Sequence, residues 1–122
     1  MMSSHRDILD AIEVSERPWG RFEKFVENQA VTVKVITVDP GQRLSLQRHD
    51  HRAEMWRALD EPVTAEVDGN LTTLQAGDTV LVPQGGVHRL SNPGSRPARI
   101  LEIAFGDFDE ADIERLEDDY RR

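Results

Sequence analysis

The sequence predicts an all-β protein, a sandwich or barrel built from short antiparallel strands. Three observations carry this prediction: apolar and polar residues alternate over short runs, β-branched residues are frequent in those runs, and turns containing glycine or proline separate them. Many short strands at regular spacing are typical of β-sandwiches and β-barrels. A chain of 122 residues is long enough for one domain with its own core.

The first sixteen residues differ from the rest of the chain. Residues 1–16 are predicted to form an N-terminal tail, and residues 17–122 a single domain. Within the tail, Ser4 followed by Asp7 and three apolar residues predicts the start of a short amphipathic helix. A helix of this length is not stable alone, so it must pack against another part of the protein or fray.

The clearest strand is the run AVTVKVITV, at residues 30–38. Its period of two predicts a half-buried strand, with Val33 and Val35 on the buried side and Lys34 on the surface. Further strand-like runs follow, separated by turns, and the sequence DGN at residues 68–70 is a strong hairpin signal.

The last segment has a different period. Asp109 is a candidate helix cap, and Ile113, Leu116 and Tyr120 fall on one helical face. We therefore expect the all-β domain to end in a short C-terminal helix.

Composition excludes several classes of function. The chain has no cysteine, which rules out disulfides, a thiolate nucleophile and a cysteine-type zinc site. A net charge of −8 argues against general nucleic-acid binding. The sequence contains no apolar run long enough for a membrane span and no secretory signal, so we expect a cytoplasmic protein without a membrane partner.

Four arginines of the middle segment predict a locally basic opening that could bind a small anion. The alternative is that each one pairs with a neighbouring aspartate. The arginines are Arg43, Arg48, Arg52 and Arg57, and the aspartates are Asp39, Asp50 and Asp60.

The stretch LSLQRHDHRAEMW, at residues 44–56, concentrates groups that bind metals. Gln47 and His49 lie two apart and share one face of a strand, while Glu54 begins the returning strand. His88 follows a second bend rich in proline and glycine. Imidazole, carboxylate and amide oxygen are all ligands for divalent transition metals. His51 has the same parity as His49 and is predicted to point inward. The alternative is an interior in which the histidines bind one another through water.

Two spacings carry a resemblance to a known family. Gly41, Gln47, His49 and Glu54 are spaced like the first motif of the cupins, with glutamine in place of a histidine. A second group of residues is spaced like the second cupin motif: Gly77, Pro83, Gly85, His88 and Asn92. The resemblance implies a cupin double-stranded β-helix, also called a jelly-roll barrel, with a metal inside.

The stretches PGQRLSLQRHDHRAEMW and VPQGGVHRLSNPGSRPARILEI narrow the resemblance to the type II phosphomannose isomerase (mannose-6-phosphate isomerase) domain. That domain usually follows a mannose-1-phosphate guanylyltransferase in a bifunctional enzyme. The 122 residues contain no such preceding domain, so we do not expect guanylyl transfer. The chain departs from the family pattern at Met55, at Glu61, where the family has glycine, and at Ala104, where it has glutamine.

The resemblance implies interconversion of mannose 6-phosphate and fructose 6-phosphate through an enediol. It also implies a divalent metal, with zinc favoured and manganese, iron, nickel or cobalt as alternatives. The implied ligands are Gln47, His49, Glu54 and His88. Arg52 would bind phosphate or stabilise the enediolate, and His51 is the candidate base.

Two other functions stay open. Two histidines and one carboxylate also form the metal site of non-haem iron oxygenases. The departures from the family pattern keep a non-catalytic, sugar-binding cupin open as well. We expect a small sugar phosphate as ligand and leave open a homodimer formed through edge strands. Among minor candidates, Arg89 is expected to point away from the metal, and Glu102 is an inward carboxylate.

Overall fold

The structure is a computed structural model, and it describes residues 5–120. Two compact units divide the chain at residue 30, namely residues 1–30 and 31–122. Among the described residues, no helix has the length and apolar character that a membrane span requires.

The first unit contains one helix and one hairpin: α1 (His5–Asp10), β1 (Glu13–Arg17) and β2 (Gly20–Lys24). The short helix predicted in this region is therefore present, although its predicted starting residue, Ser4, lies outside the described residues. The predicted boundary between residues 16 and 17 falls within β1, and it stays a prediction.

The second unit contains two antiparallel sheets. The four-stranded sheet has the order β3 (Val31–Val38), β10 (Ala98–Gly106), β5 (Arg52–Ala58), β8 (Thr79–Val82). The five-stranded sheet has the order β11 (Glu114–Glu117), β4 (Leu46–Arg48), β9 (His88–Ser91), β6 (Val63–Val67), β7 (Asn70–Leu74). From β4 onward, every connection except the β6–β7 hairpin passes from one sheet to the other, as in a jelly roll. The predicted all-β cupin barrel is confirmed.

The β6–β7 hairpin turns at residues 68 and 69, as predicted. Asp68 and Gly69 have φ angles of 49° and 83°. Two successive left-handed residues form the two-residue turn that matches strand twist, which explains why Asp-Gly is favoured here.

Two strands of the barrel, β5 and β9, have inward side chains that are apolar at one end and polar at the other. Along β5 the inward side chains are Arg52, Glu54, Trp56 and Ala58, and only the last two belong to the apolar core. Along β9, likewise, Leu90 packs in the core whereas His88 lines a cavity. Burial of the apolar half, at roughly 25 cal/mol per Å², is the main stabilising contribution and leaves the polar half open to function.

The prediction of which side of β3 is buried was wrong. Val33 and Val35 are 55% and 54% exposed, whereas Lys34 and Ile36 line the cavity. The barrel interior beside β3 is a polar cavity. The polar side of this strand therefore faces the interior, and its valine side faces the solvent.

The predicted C-terminal helix is also wrong, because the segment forms strand β11. Residue 115 pairs with residue 47 of β4, and Arg48 Nε donates a 2.8 Å hydrogen bond to Glu114 Oε2. Two residues of the proposed helical face, Leu116 and Tyr120, are 47% and 41% exposed. A short helix is stable only when its apolar face packs, so the strand pairing wins.

Candidate metal centre

The polar half of the barrel encloses a cavity of about 210 Å³. Both sheets contribute to its lining. The lining residues that matter for the chemistry are Gln47, His49, Arg52, Glu54, His88 and Glu102.

Three buried side chains converge in this cavity. His49, Glu54 and His88 are 5%, 1% and 2% exposed, and each offers one ligand atom within 4.8 Å of the other two. His49 Nε2 lies 3.7 Å from Glu54 Oε2, and His88 Nε2 lies 3.4 Å from Glu54 Oε1. The two histidines, distant in the chain, are therefore brought to one carboxylate.

Backbone pairing causes this convergence. Gln47 of β4 lies opposite His88 of β9, and Gly85 N donates a 2.9 Å hydrogen bond to His49 O. Gly85 has a φ of 78°, a left-handed conformation that favours glycine. The bend before His88 is thus attached directly to the residue that carries the other imidazole.

Both imidazoles are oriented by main-chain carbonyl groups. His49 Nδ1 lies 2.6 Å from Asp112 O, and His88 Nδ1 lies 2.9 Å from Gly86 O. A carbonyl only accepts, so each Nδ1 carries the proton and each Nε2 lone pair faces the cavity. Burial lowers the pKa of His49 and lowers that of His88 to about 4, so both rings are neutral at pH 7.

Glu54 provides the test of whether a metal fits. Burial raises the pKa of its carboxyl, although the charge of Arg52 opposes this shift. Its Oε1 is buried and accepts no hydrogen bond from the described residues. Arg52 bonds only the other oxygen, Oε2, and an unbonded carboxylate oxygen beside two imidazole lone pairs is costly. The donor set fits a divalent transition metal.

Gln47 is half-buried and lines the same cavity, opposite His88. This position is consistent with its prediction as a fourth ligand, which stays a prediction.

Arg52 lies in the cavity beside the three converging residues, and each of its three side-chain nitrogen atoms makes a contact. Its Nε donates to Glu54 Oε2 at 3.0 Å, and its Nη2 lies 3.1 Å from His49 Nε2. Its Nη1 donates to Asp109 O at 3.4 Å, and its Cζ lies 4.3 Å from the centre of the Phe108 ring. The guanidinium therefore occupies the position of a cation in front of the His49 lone pair.

His51 is not brought into the cavity. It is exposed and does not line the cavity, so its predicted inward orientation is wrong. The chain bends at residues 50 and 51 before β5 begins, which breaks the alternation that the prediction extended from His49. Arg52 faces inward instead.

Of the two alternatives for the four arginines, pairing with acidic residues is observed for Arg43 and Arg48, although their partners are not the nearby aspartates that were named. Arg43 pairs with Asp119, Arg48 with Glu114, and Arg57 donates to Thr79 Oγ1 at 2.7 Å, leaving Arg52 as the one of the four in the cavity lining. The lining contains two other basic residues, Lys34 and Arg115.

Residues 4–118 match the family model described as mannose-6-phosphate isomerase C-terminal. The chain belongs to this family. It is 43% identical over 107 residues to the alginate biosynthesis protein AlgA of Pseudomonas aeruginosa and 36% identical over 107 residues to the mannose-1-phosphate guanylyltransferase ManC of Salmonella typhimurium. Each alignment covers 87% of this chain and 22% of the relative, so the chain spans about a fifth of the length of these curated relatives.

Two solved structures show the same fold at low identity. A cupin-superfamily sugar phosphate isomerase from Silicibacter pomeroyi matches with a TM-score of 0.57 and 18% identity, covering 71% of this chain and 67% of that one. An oxalate oxidase in complex with glycolate matches with a TM-score of 0.63 and 17% identity, covering 70% of this chain and 46% of that one. The fold alone does not separate an isomerase from an oxidase.

Three further residues of this mannose-6-phosphate isomerase C-terminal domain line the cavity. Glu102 was predicted only as a minor candidate, and Lys34 and Arg115 were not predicted to lie there. Glu102 is buried, and its Oε1 accepts a 3.2 Å hydrogen bond from Trp56 Nε1 while its Oε2 accepts none from the described residues. Burial raises its pKa, and the neighbouring charge of Glu54 raises it further. Lys34 Nζ lies 3.7 Å from Glu102 Oε2. The third residue is Arg115. Of these three residues, Lys34 had a signal in the sequence, because it is an isolated lysine in a valine-rich strand.

Arg89 points away from the cavity, as predicted, but it is buried rather than at the surface. Its Nε donates to Leu44 O at 2.9 Å, and its Nη1 lies 3.4 Å from Glu117 Oε1.

Asp112 connects the segment 107–113, which follows β10, to the candidate metal centre. Its two carboxylate oxygens accept 2.9 Å hydrogen bonds from the backbone N–H groups of Asp50 and His51, and these bonds lower its pKa. Its carbonyl oxygen holds His49 Nδ1. The same residue therefore fixes the bend after His49 and the ring itself.

We expect Asp112→Ala to weaken metal binding by about tenfold, the lower end of the range for residues that orient metal-ligating histidines. Metal titration calorimetry measures this change, and ¹⁵N shifts of the His49 ring report its tautomer. Asp107→Ala, in the same segment and exposed, is the control. An unchanged affinity with an unchanged tautomer in Asp112→Ala would contradict the expectation.

Proposed function

We propose that this chain is a metal-dependent sugar-phosphate isomerase that interconverts mannose 6-phosphate and fructose 6-phosphate. The observation that carries the proposal is the buried group of His49, Glu54 and His88 with its unbonded carboxylate oxygen. Membership of the mannose-6-phosphate isomerase C-terminal family supports the reaction.

His49, Glu54 and His88 would hold the metal, and Gln47 would be the fourth ligand. Neutral imidazoles with an ionised carboxylate favour zinc, and manganese, iron, nickel and cobalt fit the same donors less selectively. A metal held by these residues would supply a Lewis acid for the developing negative charge of the substrate.

The reaction moves a proton between C2 and C1 of the sugar phosphate. A base removes the C2 proton of mannose 6-phosphate, and the electrons of that bond form the C1–C2 double bond while the C1 carbonyl oxygen gains negative charge and then a proton. Loss of the proton on the C2 oxygen, with return of a proton to C1, completes the ketose. Arg52 faces this region and would stabilise the negative oxygen.

Glu102 is the carboxylate with a geometry suited to the proton transfer. Its Oε2 is buried, accepts no hydrogen bond from the described residues, and belongs to a residue that lines the cavity. His51, the base predicted from its parity with Gln47 and His49, is exposed and outside the cavity lining. We therefore propose Glu102 as the base, which predicts that Glu102→Gln lowers kcat without releasing the metal.

Metal binding is expected to weaken as pH falls toward the raised pKa of Glu54. A protonated carboxyl cannot bind the metal, and burial raises the pKa of Glu54, so protons compete with the metal at Glu54. His88, with its pKa lowered to about 4, stays neutral over most of this range. Below the Glu54 pKa, affinity should fall by about tenfold per pH unit. Metal titrations from pH 5 to pH 8 test this expectation, and a constant affinity would contradict it.

A coupled isomerase assay tests the proposed function. Metal-reconstituted protein is given mannose, glucose or fructose 6-phosphate, and we expect turnover of the mannose and fructose esters. Binding of these esters without turnover would favour a non-catalytic sugar-binding cupin. Metal-dependent oxygen uptake would favour an oxygenase, since two histidines and a carboxylate also suit that chemistry.

A further inference from the structure

The cavity has two basic residues at its edge that the mechanism above does not use. Lys34 belongs to β3 and Arg115 to β11, and these are the outermost strands of their respective sheets. Both residues line the cavity. We propose that Lys34 and Arg115 form the anion-binding site that holds the phosphate group of the substrate. This inference rests on the proposed function, because it names the phosphate contacts of the same cavity.

Arg52 is not suited to this role. It is 5% exposed, and its guanidinium already contacts Glu54, His49 and the carbonyl of Asp109. Carbon 6 of a hexose is at the far end of the sugar from C1 and C2. A phosphate on carbon 6 therefore needs a partner at the cavity edge, away from the metal-binding group.

Among the arginines around the five-stranded sheet, Arg115 has a guanidinium that is available for a ligand. The other arginines around the five-stranded sheet pair with acidic residues of the C-terminal segment: Arg43 with Asp119, Arg48 with Glu114, and Arg89 with Glu117. Among residues 8–120, Arg115 forms no side-chain hydrogen bond and no ion pair. Guanidinium groups bind phosphate oxygens in bidentate fashion, so its free donors fit a phosphate ester.

Lys34 is positioned at the cavity, and its ammonium group still has hydrogen-bond donors for a ligand. Its Nζ lies 3.7 Å from Glu102 Oε2 and 3.8 Å from Glu110 Oε1, both longer than a direct hydrogen bond. The Nζ also lies 4.8 Å from the centre of the Phe108 ring. These contacts direct the ammonium group to the cavity and leave donors for an incoming anion.

The charges that line the cavity support the same ligand. Three basic groups, Lys34, Arg52 and Arg115, balance three carboxylates, Glu54, Glu102 and Glu110. A bound dication therefore makes the lining positive by two charges, which matches a phosphate ester with two negative charges.

The test uses Lys34→Gln and Arg115→Gln, with Arg96→Gln as the matched control. Arg96 is 79% exposed and does not line the cavity. The probes are mannitol 6-phosphate, which has no carbonyl group and cannot isomerise, and mannitol itself. We expect each cavity variant to bind mannitol 6-phosphate about tenfold more weakly than the wild type. Metal content and thermal stability should not change, and Arg96→Gln should behave as wild type.

A second readout separates phosphate anchoring from a merely structural role. With mannose 6-phosphate, Arg115→Gln should raise KM much more than it lowers kcat, and Arg115→Lys should recover part of the loss. Lys34→Gln should raise KM and also change kcat, because Lys34 Nζ lies 3.7 Å from Oε2 of Glu102, the proposed base. Weakened binding of the phosphorylated probe in a protein without isomerase turnover would refute the proposed function and leave this inference standing. Two results would refute the inference alone. One is normal turnover with an unchanged KM in both variants, and the other is a metal-loaded wild type that does not prefer mannitol 6-phosphate to mannitol.

Discussion

Replacing Glu54 with glutamine is expected to abolish stable metal binding and to lower isomerase turnover by about 10³-fold or more, while the barrel still folds. The substitution keeps the size of a side chain that is 1% exposed and keeps an oxygen that can accept from Arg52 Nε, so we expect the barrel to fold, although the buried ion pair loses one charge. It removes the one anionic group of the candidate metal centre and the unbonded oxygen that lies 3.4 Å from His88 Nε2. An amide oxygen is a weaker metal ligand than a carboxylate.

Metal content after dialysis and a binding titration measure this effect. We expect the affinity to fall by more than about 100-fold, beyond the range for groups that act only through a ligand. Glu110→Gln is the matched control, because Glu110 also lines the cavity but its side chain is 79% exposed. Retention of metal by Glu54→Gln at wild-type affinity would remove the basis of the proposed isomerase.

Replacing Arg52 with glutamine is expected to destabilise the metal-free protein by about 3–5 kcal/mol, the usual cost of removing one partner of a buried ion pair. Arg52 Nε lies 3.0 Å from Glu54 Oε2, and the two side chains are 4% and 1% exposed. Without the guanidinium, the Glu54 carboxylate has no buried cation beside it. The loss should be smaller at low pH, because Glu54, with its pKa raised by burial, can then be protonated.

The sharper expectation is that added metal reduces this loss of stability. A dication would compensate the same carboxylate that Arg52 compensates in its absence, so the unfolding free energies of wild type and variant should converge when metal is present. Urea unfolding with and without zinc measures both values. Turnover should stay low even with metal, because Arg52 would stabilise the negative oxygen of the substrate.

Arg57→Gln is the matched control for this experiment, since Arg57 lies on the same strand but does not line the cavity. Arg52→Lys should recover little, because an ammonium group cannot bond Glu54 and His49 at once as a planar guanidinium does. Equal destabilisation with and without metal would show that Arg52 does not act as the internal cation.

Features encoded by short stretches of sequence were predictable. The bends at Gly41, Gly77 and Gly85 have positive φ angles that favour glycine, and they position the strands that carry His49, Glu54 and His88. Because turn chemistry and residue spacing are local, the all-β fold with its turns follows from the sequence itself, whereas the grouping of His49, Glu54 and His88 was expected only from the family resemblance.

Features that depend on distant pairing were not predictable in this way. Strand β3 has apolar residues on both faces, so the period of two could not decide whether Val33 or Lys34 faces the interior. Strand β11 has a helical spacing of apolar residues, and only its pairing with β4 makes it a strand and brings Arg115 to the cavity. The predicted orientation of His51 was wrong for a related reason, because a bend at residues 50 and 51 interrupts the alternation of inward and outward side chains.

The segment 107–113 also has a consequence for the order in which the site is completed during synthesis. All four proposed ligands leave the ribosome before Asp112, the residue whose carbonyl group orients His49. A nascent chain exposed only as far as Gly106 would contain every ligand yet lack the group that turns the His49 lone pair inward. Metal loading would therefore be a late event in biogenesis, after the barrel strands have been made.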